Sequence, residues 1–124
     1  MAANVTTADV WEDSGATCMA RVLGTNGAVI TQAVVSSIAG TLTNTTAGTS
    51  VTLTVVVATA VFDTLQTDAR WTADSTGYNF LYTISAANLA TPAITYRAEF
   101  AFTPTSGEVY HVVFSLKTKA LYRS

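Results

Sequence analysis

The residues that could act in acid–base or nucleophilic catalysis are few. His111 is the only histidine among the 124 residues, and it lies between Tyr110 and Val112 in a segment typical of a β-strand. Its position opposite an aromatic face predicts a sheet-surface histidine rather than a general base. Members of a catalytic triad can be far apart in sequence, but no Gly-x-Ser-x-Gly turn is present to offer a nucleophilic serine to His111. We therefore expect a protein that is not an enzyme and has no catalytic residues.

Three aspartates, Asp63, Asp68 and Asp74, come nearest to a metal site. On adjacent loops they could bind calcium, which takes about six to eight oxygen ligands. They lack the alternating acidic pattern and the glycine of a calcium-binding loop, and Asp74 is better explained as a turn residue that accepts backbone hydrogen bonds. Glycine-rich phosphate loops are absent. Cys18, the only cysteine, is expected to be a buried apolar side chain. We predict no metal, no cofactor and no disulfide.

Charge and composition exclude two classes of partner and favour a third. Hydrophobic residues make up 49% of the chain and charged residues 11%, against about 25% charged in an average soluble domain. Six basic residues and a net charge of −2 form no cationic cluster, so no nucleic acid is expected as a partner. No apolar stretch reaches membrane-spanning length, which excludes a membrane. A surface this poor in charge suits a protein covered by copies of itself or by other proteins.

The distribution of β-branched and aromatic residues predicts an all-β chain. Threonine and valine dominate, and no segment has a clean helical period. Apolar residues alternate over 94–102 and again over 108–117, with turn residues between, which predicts a hairpin with one aromatic face. Such a face is buried against a second sheet, so we expect a single antiparallel β-sandwich, immunoglobulin-like, with about seven strands and no disulfide. Further strands are predicted at 16–23, 28–38, 51–59, 69–73 and 78–84.

Two groups of residues in the predicted sandwich have specific expected roles. The run of valines at 55–57 predicts a strand covered on both faces. Aromatic residues and turn residues of the later strands supply the core and the tight connections of the sandwich, with Trp71 as a core anchor. The residues assigned to these structural roles are Trp71, Asp74, Gly77, Tyr78, Tyr96 and Gly107.

The first residues of the chain are polar but contain one large apolar side chain, Trp11. We expect residues 1–14 to be an N-terminal arm, 15–119 the sandwich domain and 120–124 a C-terminal tail. A tryptophan in a polar arm has no local core to join, so it should act as an anchor that folds back on the domain or inserts into a neighbour. The candidate partner-binding residues are Val10, Trp11 and Tyr122.

Several strings of residues resemble small structural proteins of tailed bacteriophages. They are WTADSTGYNF at 71–80, YRAEF at 96–100 and TPTSGE at 103–108. The stretch 23–38 is similar to the sandwich domains of phage baseplate and tail-adaptor proteins, through Gly27, Ile30, Thr31 and Ile38. The resemblance implies a virion subunit at the neck, the tail or the capsid surface, where it contacts copies of itself and other virion proteins. No coiled-coil or collagen-like stalk is present, which speaks against a fibre.

Aromatic residues also allow a different function, that of a carbohydrate-binding module attached to a host glycan. β-Sandwiches often bind sugars through exposed aromatic side chains, and such a module predicts quenching of tryptophan fluorescence by an oligosaccharide. An assembly role predicts instead that Trp11→Ala keeps the fold and abolishes assembly. The aromatic residues available for a sugar platform are Trp11, Trp71, Tyr78, Tyr82 and Tyr96.

Overall fold

The computed structural model describes residues 5–24, 27–71 and 74–121, with the backbone alone for residues 5–8. This part of the chain contains eight β-strands, one short α-helix and two 3₁₀ helices. The strands are β1 (Val5–Trp11), β2 (Ala16–Ala20), β3 (Val35–Asn44), β4 (Thr49–Thr54), β5 (Val61–Gln66), β6 (Tyr78–Ile84), β7 (Thr95–Pro104) and β8 (Tyr110–Lys119); the α-helix is α1 (Val57–Ala60), and the 3₁₀ helices are Gln32–Val34 and Ala86–Leu89.

The strands form two sheets, in the orders β1-β8-β7-β3-β4 and β2-β6-β5. Every neighbouring pair is antiparallel except β1 and β8, which are parallel. The order β8-β7-β3-β4 over β2-β6-β5 matches the two sheets of an immunoglobulin sandwich, with the additional fourth strand that variable-type domains carry. The predicted all-β sandwich is confirmed. The described residues contain eight strands rather than about seven, because β1 joins the larger sheet.

Residues 5–11, which we predicted as part of an arm, form the edge strand β1. They pair with β8 in a continuous register from Val5 opposite Val113 to Trp11 opposite Lys119. An edge strand is half solvated, so its sequence can be as polar as that of a tail. The parallel pairing also joins the two ends of the chain, and such a long-range contact leaves no local periodic signal.

The run of valines at 55–57 does not continue a strand buried on both faces. β4 ends at Thr54, and the chain then crosses from the larger sheet to the smaller one through α1. Val51 and Val56 leave 47% and 54% of their surfaces exposed. The prediction was wrong because a short apolar run does not distinguish a central strand from an edge strand followed by a helical turn. The predicted strand at 69–73 is likewise a loop over the described residues 69–71.

The core lies between the sheets and centres on aromatic residues of β6, β7 and β8. Phe80, Phe100 and Phe102 are completely buried, and the ring of Phe80 meets the other two edge-on at centroid distances of 5.0 and 5.3 Å. Tyr110 stacks on Phe102 at 5.4 Å. The aromatic face predicted for the β7–β8 hairpin is confirmed, and Gly107 lies in the turn that joins these strands.

Cys18 and Tyr96 show how this sandwich is held without a disulfide. In disulfide-pinned immunoglobulin domains, a tyrosine near the start of the strand equivalent to β7 stands two residues before the second cysteine. Here Tyr96 is buried on β7, and the residue two positions later is Ala98, which is also buried. Cys18 on β2 is 2% exposed and belongs to the same apolar core. Packing of small and aromatic side chains therefore takes the place of the covalent pin.

Cys18 should be unreactive in the folded protein. Burial raises the pKa of its thiol to about 12, so at pH 8 only about 10⁻⁴ of it is thiolate, the reactive form. We expect iodoacetamide at pH 8 to leave the native protein unmodified and to add one carbamidomethyl group in guanidinium chloride, as measured by intact mass. Equal rates of alkylation in both conditions would contradict the buried position of this side chain.

Candidate functional site

Trp11 ends strand β1 with 54% of its surface exposed. Its backbone is nonetheless firmly placed, because Trp11 pairs with Lys119 in the β1–β8 ladder. The next amide, that of Glu12, donates to the Lys119 carbonyl at 2.8 Å. The indole is therefore presented to solvent from an ordered strand end rather than from a free arm.

The turn after Trp11 fixes this end of the sandwich. The Asp13 backbone is left-handed, with φ 57°, and its amide donates to the Leu89 carbonyl at 3.1 Å. The Glu12 side chain is nearly buried, and its Oε1 accepts a hydrogen bond of 2.9 Å from the Leu121 amide. This bond ties the C-terminal segment to the turn, which keeps Leu121, 38% exposed, at the same end as Trp11.

A shallow groove of about 310 Å³ adjoins Trp11 between the edge strands of the two sheets. Asp9 and Lys119 form an ion pair of 3.2 Å beside it, with both side chains more than half exposed, so this pair contributes little stability. We call Val10, Trp11 and Leu121 the Trp11 patch. The residues that line the groove are Asp9, Val10, Trp11, Ser14, Gly15, Ala16, Thr17 and Leu116.

The structure brings two of the three predicted partner-binding residues, Val10 and Trp11, to one groove, and Tyr122 lies outside the described residues. Sequence reasoning missed the contribution of Glu12 and Leu121. The only signal in the sequence was a glutamate directly after the tryptophan, which by itself is as typical of a solvated segment as of a buried acceptor.

A second cavity, of about 440 Å³, lies at the opposite end of β8. It is formed by the β2–β3 and β7–β8 connections, which correspond to two of the loops that bind antigen in antibody variable domains. Its lining combines hydroxyl groups and apolar side chains, and none of these residues is charged. We call it the loop-end pocket; its lining residues are Gly24, Ala28, Val29, Ile30, Thr31, Val34, Pro104, Thr105, Ser106 and Tyr110.

Asp74 organises the β5–β6 loop in the way its turn context predicts. Its Oδ1 accepts hydrogen bonds from the amides of Thr76 and Gly77 at 3.0 and 3.1 Å. The same oxygen accepts from Trp71 Nε1 at 3.0 Å, and Oδ2 accepts from Arg21 Nη1 at 2.8 Å. Trp71 is therefore a half-buried residue that anchors this loop, rather than a member of the central core.

Asp68 forms a second polar cluster in the same loop. Its Oδ2 accepts from the Tyr78 hydroxyl at 2.6 Å and from Arg70 Nη2 at 2.9 Å. The Tyr78 ring is buried and lies edge-on to Phe62 at 5.8 Å. These contacts identify Asp68 as a residue that holds the loop against β6.

The three aspartates are thus not gathered around a common point. The third, Asp63, accepts a hydrogen bond of 2.7 Å from the Gln32 amide. Across residues 5–24, 27–71 and 74–121, no group of three histidine, cysteine, aspartate or glutamate side chains is placed to hold a metal ion. His111 is exposed on β8, opposite Ala101 of β7.

Acidification should loosen the β5–β6 loop. Hydrogen bonds from Arg70 to Asp68, and from Trp71 to Asp74, hold the pKa values of these carboxyls well below their usual range. A depressed pKa in the folded state stabilises the protein above the unfolded value of about 3.9, and this contribution is lost as the pH falls below it. We expect the melting temperature to fall from about pH 4 downward, and to fall less steeply in Asp68→Asn/Asp74→Asn. Parallel pH profiles would contradict this assignment.

Fold and site together define a small immunoglobulin-like sandwich with an exposed tryptophan at the end of its edge strand. Comparisons of the chain with protein-family models, with curated proteins and with solved structures find no match. None of the helices in the described part of the chain has the length and apolar character needed to cross a membrane. The Trp11 patch and the loop-end pocket are two sites among the described residues whose geometry bears on function.

Proposed function

We propose that this chain is a non-enzymatic structural subunit of a bacteriophage virion, where it makes protein–protein contacts at the neck, the tail or the capsid surface. The observation that carries the proposal is the exposed indole of Trp11 on an ordered backbone. Tryptophan is among the residues that contribute most to protein interfaces.

The ordered backbone matters because association costs conformational entropy. A tryptophan on a free arm must be ordered when its partner binds. Trp11 is already held by the β1–β8 ladder and by the turn that follows it. Most of the free energy gained by burying the indole is therefore available for binding, and the adjoining groove provides room for a side chain of the partner.

Two further features support an assembly role. Residues 22–62 contain no charged side chain at all, so a neighbour can cover the exposed side chains of this segment without desolvating a charge that belongs to it. The assignment to a virion rests on the resemblance of segments 71–80, 96–100 and 103–108 to structural proteins of tailed phages.

The test is the composition of virus particles produced from a genome that encodes Trp11→Ala. Loss of an interface hot spot of about 2 kcal/mol weakens binding about 30-fold, so we expect the variant to be strongly depleted from purified particles, as measured by quantitative mass spectrometry. The melting temperature of the purified variant shows whether the fold is intact. Val109→Ala, which truncates another exposed apolar side chain (49% exposed), should be incorporated normally. A folded Trp11→Ala chain present at the wild-type level would contradict the proposal.

The loop-end pocket favours a second candidate function, the binding of a neutral carbohydrate. Its volume of about 440 Å³ lies within the range of about 300–1,000 Å³ typical of ligand sites. Thr31, Thr105 and Ser106, whose side chains carry hydroxyl groups, are among its lining residues. Tyr78 and Tyr96, by contrast, are buried and cannot belong to an exposed aromatic platform.

Carbohydrate binding is tested by calorimetric titration with a panel of neutral oligosaccharides at millimolar concentration. Binding that is lost in Thr105→Val and retained in Trp11→Ala would support a sugar site in the loop-end pocket. No heat of binding from any member of the panel would contradict it, and would leave the assembly role unaffected.

A further inference from the structure

Strand β4 is one end of the five-stranded sheet, and its only partner among the described strands is β3. The two strands pair without a register shift from Ala39 opposite Thr54 to Asn44 opposite Thr49. At the outer edge of such a strand, every second residue directs its N–H and C=O groups away from the sheet, where they are free to pair with another strand.

Natural proteins usually block a free edge with a charge, a proline or a bulge. β4 reads Thr-Ser-Val-Thr-Leu-Thr and has none of these, and it lies inside the uncharged stretch 22–62. The other described edges are protected. β1 carries the ion pair of Asp9 with Lys119, and β5 contains Asp63 and has an irregular register with its neighbour. β2 is followed directly by Arg21 and lies beside β1 across the groove.

The side chains of β4 carry no charge, and they lie beside the edge of the strand that has no partner strand. Leu53 points into the sandwich and is buried, and Val51, two residues earlier on the same face, is 47% exposed. The opposite face carries Ser50, whose Oγ lies 3.0 Å from Thr43 Oγ1, and the exposed Thr52. An apolar side chain is thus left half-covered beside a free row of hydrogen-bonding groups.

We propose that β4 pairs antiparallel with β4 of a second copy, so that two sandwiches share one continuous sheet. The occupant is a second copy because an antiparallel strand edge is self-complementary about a two-fold axis perpendicular to the sheet. This axis keeps the inner faces of both copies on the same side and places Val51 opposite Val51 or Leu53 of the second copy. The chain carries a net charge of −2, but none of it lies on this strand, so like charges do not meet at the junction.

This self-pairing is independent of the proposed contact through Trp11. β4 and β1 are the opposite edges of the same five-stranded sheet, so a subunit can use one edge for its own copy and the Trp11 patch for a different protein. Trp11→Ala should therefore leave the pairing through β4 intact, whatever its effect on incorporation into particles.

The test is the solution mass, measured by light scattering over a concentration series for the wild type, Thr52→Lys and Thr103→Lys. Lysine at Thr52 places like charges directly opposite each other where Val51 faces Leu53 of the second copy, and on the diagonal across the two-fold axis where Val51 faces Val51. Thr103 is exposed on the same outer face but belongs to β7, inside the sheet. We expect a dimer for the wild type and for Thr103→Lys, and a folded monomer for Thr52→Lys.

A charge-swap experiment separates specific pairing from a change in stability. Thr52→Lys and Thr52→Glu should each be monomeric alone, and a mixture of the two should form a one-to-one heterodimer, because opposite charges then meet across the axis. A wild type that is monomeric at every concentration, a Thr52→Lys variant that dimerises like the wild type, or a mixture that stays monomeric would each overturn the proposal.

Discussion

Replacing Asn79 with leucine should lower the free energy of unfolding by about 2–6 kcal/mol, since two buried backbone groups lose their partners at about 1–3 kcal/mol each. Asn79 is completely buried on β6. Its Oδ1 accepts from the Val22 amide at 2.7 Å, and its Nδ2 donates to the carbonyls of Val22 and Ile30 at 3.0 and 3.2 Å. The Val22 carbonyl keeps the Ile30 amide as a donor, so the orphaned groups are the Val22 amide and the Ile30 carbonyl.

Urea denaturation measures this change, and Asn88→Leu is the matched control. Asn88 lies half-buried in the second 3₁₀ helix, and the same substitution there should change stability by less than about 0.5 kcal/mol. Amide exchange of Val22 should accelerate in Asn79→Leu, because the amide loses its acceptor. If both leucine variants lost the same small amount of stability, Asn79 would not have the structural role described.

The Asn79 side chain also links the core to the loop-end pocket. The two residues that it binds, Val22 and Ile30, both lie within the β2–β3 connection, and Ile30 lines the pocket directly. A ligand that occupies the pocket would therefore bind Asn79→Leu more weakly even where the folded fraction is unchanged.

Replacing Gly77 with alanine should destabilise the protein by about 3 kcal/mol or more, from backbone strain of about 1–3 kcal/mol with a steric clash in addition. Gly77 has φ 109°, and a Cβ there would lie 2.5 Å from the Gln66 carbonyl oxygen and 3.1 Å from Thr67 Cγ2. The Gly77 amide also donates to Asp74, so a shift of the backbone would break the turn.

Gly48→Ala is the control that separates the two causes of destabilisation in Gly77→Ala, the backbone strain of a positive φ and the steric clash with Gln66. Gly48 also has a positive φ, 75°, but a Cβ at this position has nothing within 4 Å, so only the left-handed conformation is penalised, by about 1–2 kcal/mol. Thermal and urea unfolding of both variants give the difference directly. Equal losses of stability would show that Gln66 does not pack against Gly77 as described.

The parts of the fold that could be predicted from the sequence are those in which the residue pattern of a single strand shows which of its faces is buried. The β7–β8 hairpin alternates between buried aromatic residues such as Phe100 and solvent-facing residues such as Arg97, because one face packs on the core and the other is solvated. The turn at Asp74 is also local, since the acceptor and the amides that it binds lie within three residues.

The features that the sequence did not reveal depend on distant parts of the chain. β1 resembles a polar tail because its partner, β8, is at the other end of the sequence, and an edge strand needs few apolar residues. Asn79 appears as a polar residue between Tyr78 and Phe80, and nothing nearby in the sequence shows that it binds Val22 and Ile30. At the candidate site, Trp11 could be recognised from its polar surroundings, whereas the bond from Leu121 to Glu12 could not.

The most direct measurement of whether Trp11 contacts another protein is its rate of oxidation by hydroxyl radicals in the free chain and in purified virus particles. The chain contains only two tryptophans, and peptide mass spectrometry distinguishes Trp11 from Trp71, which serves as the internal reference. An assembly role through the Trp11 patch predicts rapid oxidation of Trp11 in the free chain and strong protection in the particle, because an indole covered by a neighbouring protein is shielded from radicals in the solvent. Equal oxidation in both states, or particles that lack the chain, would contradict it.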